Sequence, residues 1–213
     1  MSIKRNVVLA VCFSSAAVVC AQETSEVSAL TERLQNYETF KADFNQVVTD
    51  SEGRIVQESS GDLRAKRDGL FYWHVEPPLE QYIAADGEEV EVYDPDLQQV
   101  TIYPMDEKLT ATPALLLSGD VDGLQDAYDV TRIDKGAANP EFRLEPKDPD
   151  SLFLSLTLVF GDKALEEMRL KDSLGQSSVL QFSNIVINEP IAQDVFELEY
   201  PSSVDVIRNQ AAP

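Results

Sequence analysis

The sequence predicts a mainly β chain with a few helices, built as one curled antiparallel sheet of about ten or eleven strands whose concave side is plugged by helical segments. Three observations carry this expectation. Apolar and polar residues alternate with period two in run after run from Phe40 to Tyr200, with turn signals between the runs. The alternation leaves only one side of the sheet apolar. The helical stretches are too few to cover a flat sheet, so the sheet has to curl around them. Period alone leaves open whether such an interior is filled by side chains or encloses a ligand.

The elements follow in order. In SEVSALTERLQNY, Val27, Leu30, Leu34 and Tyr37 share one helix face. The period then changes in FKADFNQVV, where Phe40, Ala42, Phe44 and Gln46 alternate with charged and amide residues as a half-buried strand. Gly53 closes that strand, Leu63 and Ala65 share a face in the next, and Asp68-Gly69 marks a turn. Phe71, Trp73 and Val75 alternate with Tyr72 and His74 until Pro77-Pro78. Asp86-Gly87 reads as a hairpin turn, Asp94-Pro95-Asp96 as another, and Val100 and Ile102 continue the inward face. TPALLLSG breaks the pattern, since Pro113 suits a helix start and Gly119 a helix end. Strands resume at Val130, Ile133, Phe142 and Leu144. Leu152, Leu154, Leu156, Leu158 and Phe160 are expected on one side of the following strand. Met168 with Leu170, Leu180 with Phe182, Val186, and Phe196 with Leu198 and Tyr200 complete the run.

Residues 1–21 read as a secretory signal peptide, leaving residues 22–213 as one domain. Lys4 and Arg5 form the basic start, and the apolar stretch Val7 to Val19 is too short to span a bilayer. Val19 and Ala21 occupy the recognition positions for a cut after Ala21. An uncleaved anchor and a lipoprotein modified at Cys20 are the alternatives; Val19 is bulky where lipidation wants a small residue before the cysteine. Both cysteines, Cys12 and Cys20, precede the cut, so the exported chain has no thiol for disulfides, catalysis or metal binding.

The whole chain has a formal charge of −21, and residues 1–21 hold two bases and no acids, which leaves 15 bases against 38 acids, or −23. Such a field repels nucleic acid and anionic lipid and favours a soluble monomer, although acidity also fits adaptation to a salty habitat. The sequence holds no phosphate-binding glycine loop, no nucleophile elbow and no zinc-binding helix motif. His74 is the only histidine and alternates away from Phe71 and Trp73, which makes it an outer-face residue. Asp120 and Asp122 lie in a stretch whose Gly123 is misplaced for a calcium loop, so they read as a solvated turn. Neither a cofactor nor a metal nor an enzymatic activity is expected.

The run from Gly61 to Tyr103 resembles the signature region of the LolA family, the periplasmic outer-membrane lipoprotein carriers. The matching elements are Gly61 and Leu63, then Lys66, Arg67, Leu70, Phe71 and Trp73, then Pro78 with Asp86-Gly87. Tyr93, Pro95, Gln99 and Val100 follow, and then Thr112, Pro113, Leu116 and Leu117. The run Phe40 to Gln46 and the first helix fit as well, so the resemblance is densest over residues 30–117 and only architectural beyond.

It implies a half-open, incomplete barrel of about eleven strands with a helical lid over an apolar cavity that holds the acyl chains of lipoproteins. An ATP-driven (ABC-type) inner-membrane lipoprotein-releasing complex would load it, and an outer-membrane lipoprotein receptor would unload it. The resemblance also implies a functional role for Arg67, expected here as a latch donating hydrogen bonds to carbonyls at the lid-helix ends. The alternative is an Arg67 paired with Asp68. Leu34, Phe40, Phe44, Phe71, Trp73, Val100, Ile102, Leu115 and Leu116 are the candidate cavity residues, with an ordinary core as the alternative. Two departures stand out: Asp68 replaces the family's usual proline, and Val90 stands where an aromatic is common. Within the same fold, the receptor itself and a lipoprotein-sensing regulatory module are the rival readings. The bulky Val19 and the acidic charge argue against the first; the second usually has a further C-terminal domain.

Overall fold

The computed structural model describes residues 17–105, 113–119, 121, 123–133 and 139–209. The expectations for Lys4, Arg5, Thr112, Asp120 and Asp122 fall outside these residues. Helix α1 spans Ala17–Gln35, so it begins upstream of the expected cut after Ala21. Six strands follow: β1 Thr39–Thr49, β2 Ile55–Lys66, β3 Leu70–Val75, β4 Gln81–Asp86, β5 Glu89–Asp94 and β6 Gln99–Pro104. A 3-10 segment at Pro113–Leu117 and the short helix α2 at Leu124–Ala127 interrupt the sheet. Then come β7 Tyr128–Arg132, β8 Glu141–Pro146, β9 Phe153–Phe160, β10 Leu165–Asp172 and β11 Ser177–Ile187. A second 3-10 turn, Gln193–Phe196, precedes β12 at Asp205–Arg208.

All twelve strands form one sheet in the order β12-β6-β5-β4-β3-β2-β1-β11-β10-β9-β8-β7. The sheet is open, with β7 and β12 at its edges. Its two halves nevertheless face one another, because Trp73 and Ile83 of β3 and β4 line the same cavity as Leu156 and Met168 of β9 and β10. A sheet this wide buries a single apolar face only by curling. Leu30 and Leu34 of α1 and Leu115 and Leu117 of the first 3-10 segment are buried in that concave face.

Three expectations need correction. Twelve strands lie among the described residues, in line with the expected eleven or so, but the last runs parallel to β6, Val206 opposite Val100, so the sheet is not wholly antiparallel. Phe196, Leu198 and Tyr200 do not form a strand. Phe196 belongs to a 3-10 turn and packs with Leu70 and Ile191 in a small cluster on the outer face, where the chain crosses the sheet toward the β6 edge. Leu152 and Leu154 do not join the core: they are 59% and 54% exposed, while Phe153 is buried. A bulge is the cause. Lys171 pairs with Ser155 and Asp172 with Phe153, so Leu154 is an extra residue and the faces exchange.

The turns separate the sheet into two ends. At one end, Gly69 and Gly87 have φ of +80° and +97°, and a Cβ on Gly69 would lie 2.7 Å from Cα of Gly87. The β2–β3 and β4–β5 turns therefore touch through bare backbone, which only glycine allows. Asp68, between Arg67 and Gly69, has φ of 72°. Aspartate tolerates that left-handed conformation, whereas proline, fixed near −65°, cannot reach it. At the opposite end lie the turns at 50–54, 76–80, 95–98 and 173–176.

Candidate functional site

Helix α1 and the Pro113–Leu117 segment meet at the end of the sheet that carries the glycine turns, and Arg67 lies between them. Its Nε donates to the carbonyl of Tyr37 at 2.8 Å, one terminal nitrogen donates to the carbonyl of Gly119 at 2.8 Å, and the other donates to Leu34. One planar guanidinium thus spans the last turn of α1 and the residues just past the 3-10 segment. This uses the rigid fork and permanent charge that distinguish arginine from lysine. The backbone of the same turn repeats the division, since the Arg67 N–H donates to Glu38 O and the Gly69 N–H to Ser118 O, each at 3.0 Å.

The end of α1 has further attachments. Asn188 accepts from the Glu38 N–H at 2.8 Å and donates to Asn36 O at 2.9 Å. The Tyr37 hydroxyl accepts from the Leu165 N–H at 2.9 Å. Burial raises the Tyr37 pKa, opposed by that hydrogen bond and by Arg33. No motif or spacing marks Asn188 in the sequence. Tyr37 is legible only as part of a helix face.

Below this junction lies a cavity of about 420 Å³, within the size range of small-ligand pockets. Its apolar wall comprises Trp73, Val75, Ile83, Leu156, Met168, Leu170 and Leu180, and Ala114 of the 3-10 segment borders it. Gln46, Gln57, Ser59 and Ser178 supply a polar strip, and Glu80, Asp94 and Asp96 also line it. The exposed rim residues Gln57, Leu79 and Asp96 belong to the end opposite Arg67, which is the mouth.

Of the candidate cavity residues, Trp73 lines this space. Leu34, Phe40, Phe44, Phe71 and Leu115 are buried together in the core, and Leu116 packs half-buried against it. Val100 and Ile102, expected in the cavity, are buried instead on the outer face: Val100 pairs with Tyr93, and Tyr93 with Tyr82 beside His74, so Thr101 is the β6 residue that shares the inward face of Val92, Ile83 and Trp73. Val90 is fully buried. Phe44 stacks on Trp73 with centroids 3.9 Å apart and the planes 22° from parallel. Gly61 makes room for that stack, because a Cβ there would lie 2.8 Å from Phe44 Cζ and 1.8 Å from the His74 carbonyl oxygen. The sequence marks Leu156, Met168, Leu170 and Leu180 as inward strand residues. Their meeting across the cavity depends on the curl, which period two does not encode.

On the outer face, His74 stacks on Tyr82 at 4.4 Å and lies between the carboxylates of Asp62 and Glu80, at 3.4 and 3.6 Å. Arg64 pairs with Asp62 and lies over the Tyr72 ring. Among the described residues, no three His, Cys, Asp or Glu side chains form a group suited to a metal ion.

The family profile described as outer membrane lipoprotein carrier protein LolA matches residues 35–199. An outer-membrane lipoprotein carrier protein of Hahella chejuensis is 45% identical over 201 residues, covering 94% of this chain and 96% of its own. One from Pseudomonas fluorescens is 41% identical over 87% of this chain and 89% of its own, and one from Pseudomonas syringae pv. syringae is 39% identical over 95% and 98%. Among solved structures, a LolA superfamily protein from Nitrosomonas europaea shares the fold at a TM-score of 0.52 and 12% identity, covering 83% of this chain and 97% of its own. The profile spans most of the chain and these relatives are 39–45% identical over most of both lengths, so the chain belongs to the LolA family of outer-membrane lipoprotein carrier proteins.

Proposed function

We propose that this chain is a periplasmic carrier that takes the acyl chains of lipoproteins into its concave side and carries them through water. The observation that carries this reading is the apolar cavity, bordered by a lid segment that one arginine ties to α1. Each acyl methylene is worth about 0.8 kcal/mol out of water, so a multiply acylated protein needs a shield between membranes. A carrier must also release its cargo. Leu34, Phe40, Phe71 and Leu115, packed against one another in the closed state, gain contacts when cargo leaves, and this competition limits the net affinity.

In this reading residues 1–21 direct export and are removed, an ATP-driven inner-membrane releasing complex loads the carrier, and an outer-membrane lipoprotein receptor unloads it. Arg67 acts as the latch between α1 and the lid segment. The protein acts by binding and transfer rather than by catalysis.

The test is native mass spectrometry of the exported chain mixed with a detergent-solubilised acylated lipoprotein and, separately, with the same protein stripped of its acyl groups. A one-to-one complex with the acylated form alone is expected. Equal binding of both forms, or of neither, overturns the carrier reading.

A further inference from the structure

The concave face changes chemistry along its length. Inward residues of β1, from the Arg67 end toward the mouth, are Phe40, Ala42, Phe44 and then Gln46. The partner positions on β2 are Ala65, Leu63, Gly61 and then Ser59. On β11, Phe182 and Leu180 are followed by Ser178. On all three adjacent strands a polar residue thus follows apolar ones on the inward face, Ser178 lying one inward position nearer the mouth than Gln46 and opposite Val48, and Gln46, Ser59 and Ser178 line the cavity.

The polar residues form a connected group. Gln46 Nε2 donates to Ser178 Oγ at 2.8 Å, and Ser59 Oγ donates to Gln46 Oε1 at 3.4 Å. These bonds occupy the Gln46 carbonyl and one of its amide hydrogens. The second amide hydrogen and the Ser178 hydroxyl hydrogen remain as donors. Glu80, Asp94 and Asp96 also line this cavity and disfavour an anion there.

We infer that Gln46 and Ser178, steadied by Ser59, form a polar ledge that hydrogen-bonds the neutral ester carbonyls joining acyl chains to their headgroup, while the tails lie toward Trp73 and Leu156. The inference rests on the carrier reading and adds an orientation to it: tails toward the lid, acyl linkage at the mouth. The ledge offers neutral donors to a neutral acceptor, so it selects esters over free fatty-acid carboxylates, which the acidic wall opposes. It also favours esters over alkyl ethers, which lack the carbonyl.

Trp73, the only tryptophan, lies in the cavity wall and reports occupancy by its fluorescence. Two probes of equal chain length separate the possibilities: a diacylglyceryl-cysteine lipopeptide and its dialkyl ether analogue. The ester probe is expected to bind about two- to tenfold more tightly, the range for a hydrogen bond or two. Gln46→Leu is expected to bring that ratio to near one while leaving ether binding within about twofold, and Ser178→Ala to reduce the ratio in part. Equal affinities in the unsubstituted chain, or a Gln46→Leu loss shared by both probes, overturns the ledge and leaves the carrier standing. Binding of neither probe by the unsubstituted chain overturns the carrier reading and the ledge with it.

Discussion

The two ends of the half-barrel are built from the same strands and solve opposite problems. Toward Arg67, β1 and β2 are buried on their inward face, whereas toward the mouth β1 is half-exposed and β2 largely exposed. At the Arg67 end the constraints are geometric: positive-φ turns pressed backbone to backbone, and a guanidinium reading carbonyls on two elements. At the mouth they are chemical. Amides and hydroxyls face inward, and the exposed apolar residues Ile55, Val56, Leu79, Leu97, Leu152 and Leu174 gather at or beside the turns. The Arg67 end is thus set by a few fixed positions, and the mouth by which atoms it presents. The first end should therefore be brittle to substitution and the second tunable.

Arg67→Leu should have the largest effect. It leaves the carbonyls of Tyr37 and Gly119 without this donor, at about 1–3 kcal/mol for each group that stays buried, so the lid segment should open and hydrate. Delivery of lipoprotein from donor to acceptor membranes should fall to background while far-UV circular dichroism stays native. Arg67→Lys should recover little, because an ammonium lacks the planar fork. Normal delivery by Arg67→Leu would refute the latch.

Gly87→Ala tests the geometry of that end by itself. The new Cβ would sit 2.6 Å from the Asp68 carbonyl oxygen at a φ of +97°. A cost of about 2 kcal/mol or more is expected, read as a lower urea midpoint at unchanged m-value. Asp68→Pro should cost a similar amount, since φ of 72° is closed to proline; Asp68→Gly should be tolerated. A fully stable Asp68→Pro chain would mean that the turn readily adopts another shape.

The sequence carried the inward face well. Phe40, Phe44, Leu63, Phe71 and Trp73 alternate cleanly, and each is buried. The turns at Asp68-Gly69 and Asp86-Gly87 were legible because their chemistry is local. The bulge at Leu154 was not, because an extra residue in a leucine-rich run keeps the composition and changes only the register. Phe196 misled for another reason: apolar spacing near a chain end does not reveal which face of the sheet the chain crosses. Most of the candidate cavity residues prove to be closed core. Period two marks what points inward, whereas the curl and the lid decide which inward residues meet empty space.

The smallest predicted effect contrasts the ends through their tyrosines. Near the mouth, on the outer face, Tyr82 donates to Glu80 at 2.8 Å, and its pKa is pushed from the ordinary 10.0 up to about 12 by that bond, then by burial and the Glu80 charge. At the Arg67 end, Tyr37 is raised mainly by burial. Below pH 10 the phenols are protonated in both folded and unfolded chains and contribute no slope. Between pH 10 and about 12 the unfolded chain releases the Tyr82 proton while the folded chain keeps it. The unfolded state then binds fewer protons, so stability falls as pH rises through that window. Tyr82→Phe should flatten this decline in urea midpoints without altering stability near neutrality by more than about 1 kcal/mol. Tyr37→Phe should instead lower the midpoint at every pH, because it also removes the acceptor for the Leu165 N–H. If Tyr82→Phe lowered stability uniformly and Tyr37→Phe only flattened the alkaline slope, the two ends would have been assigned the wrong way round.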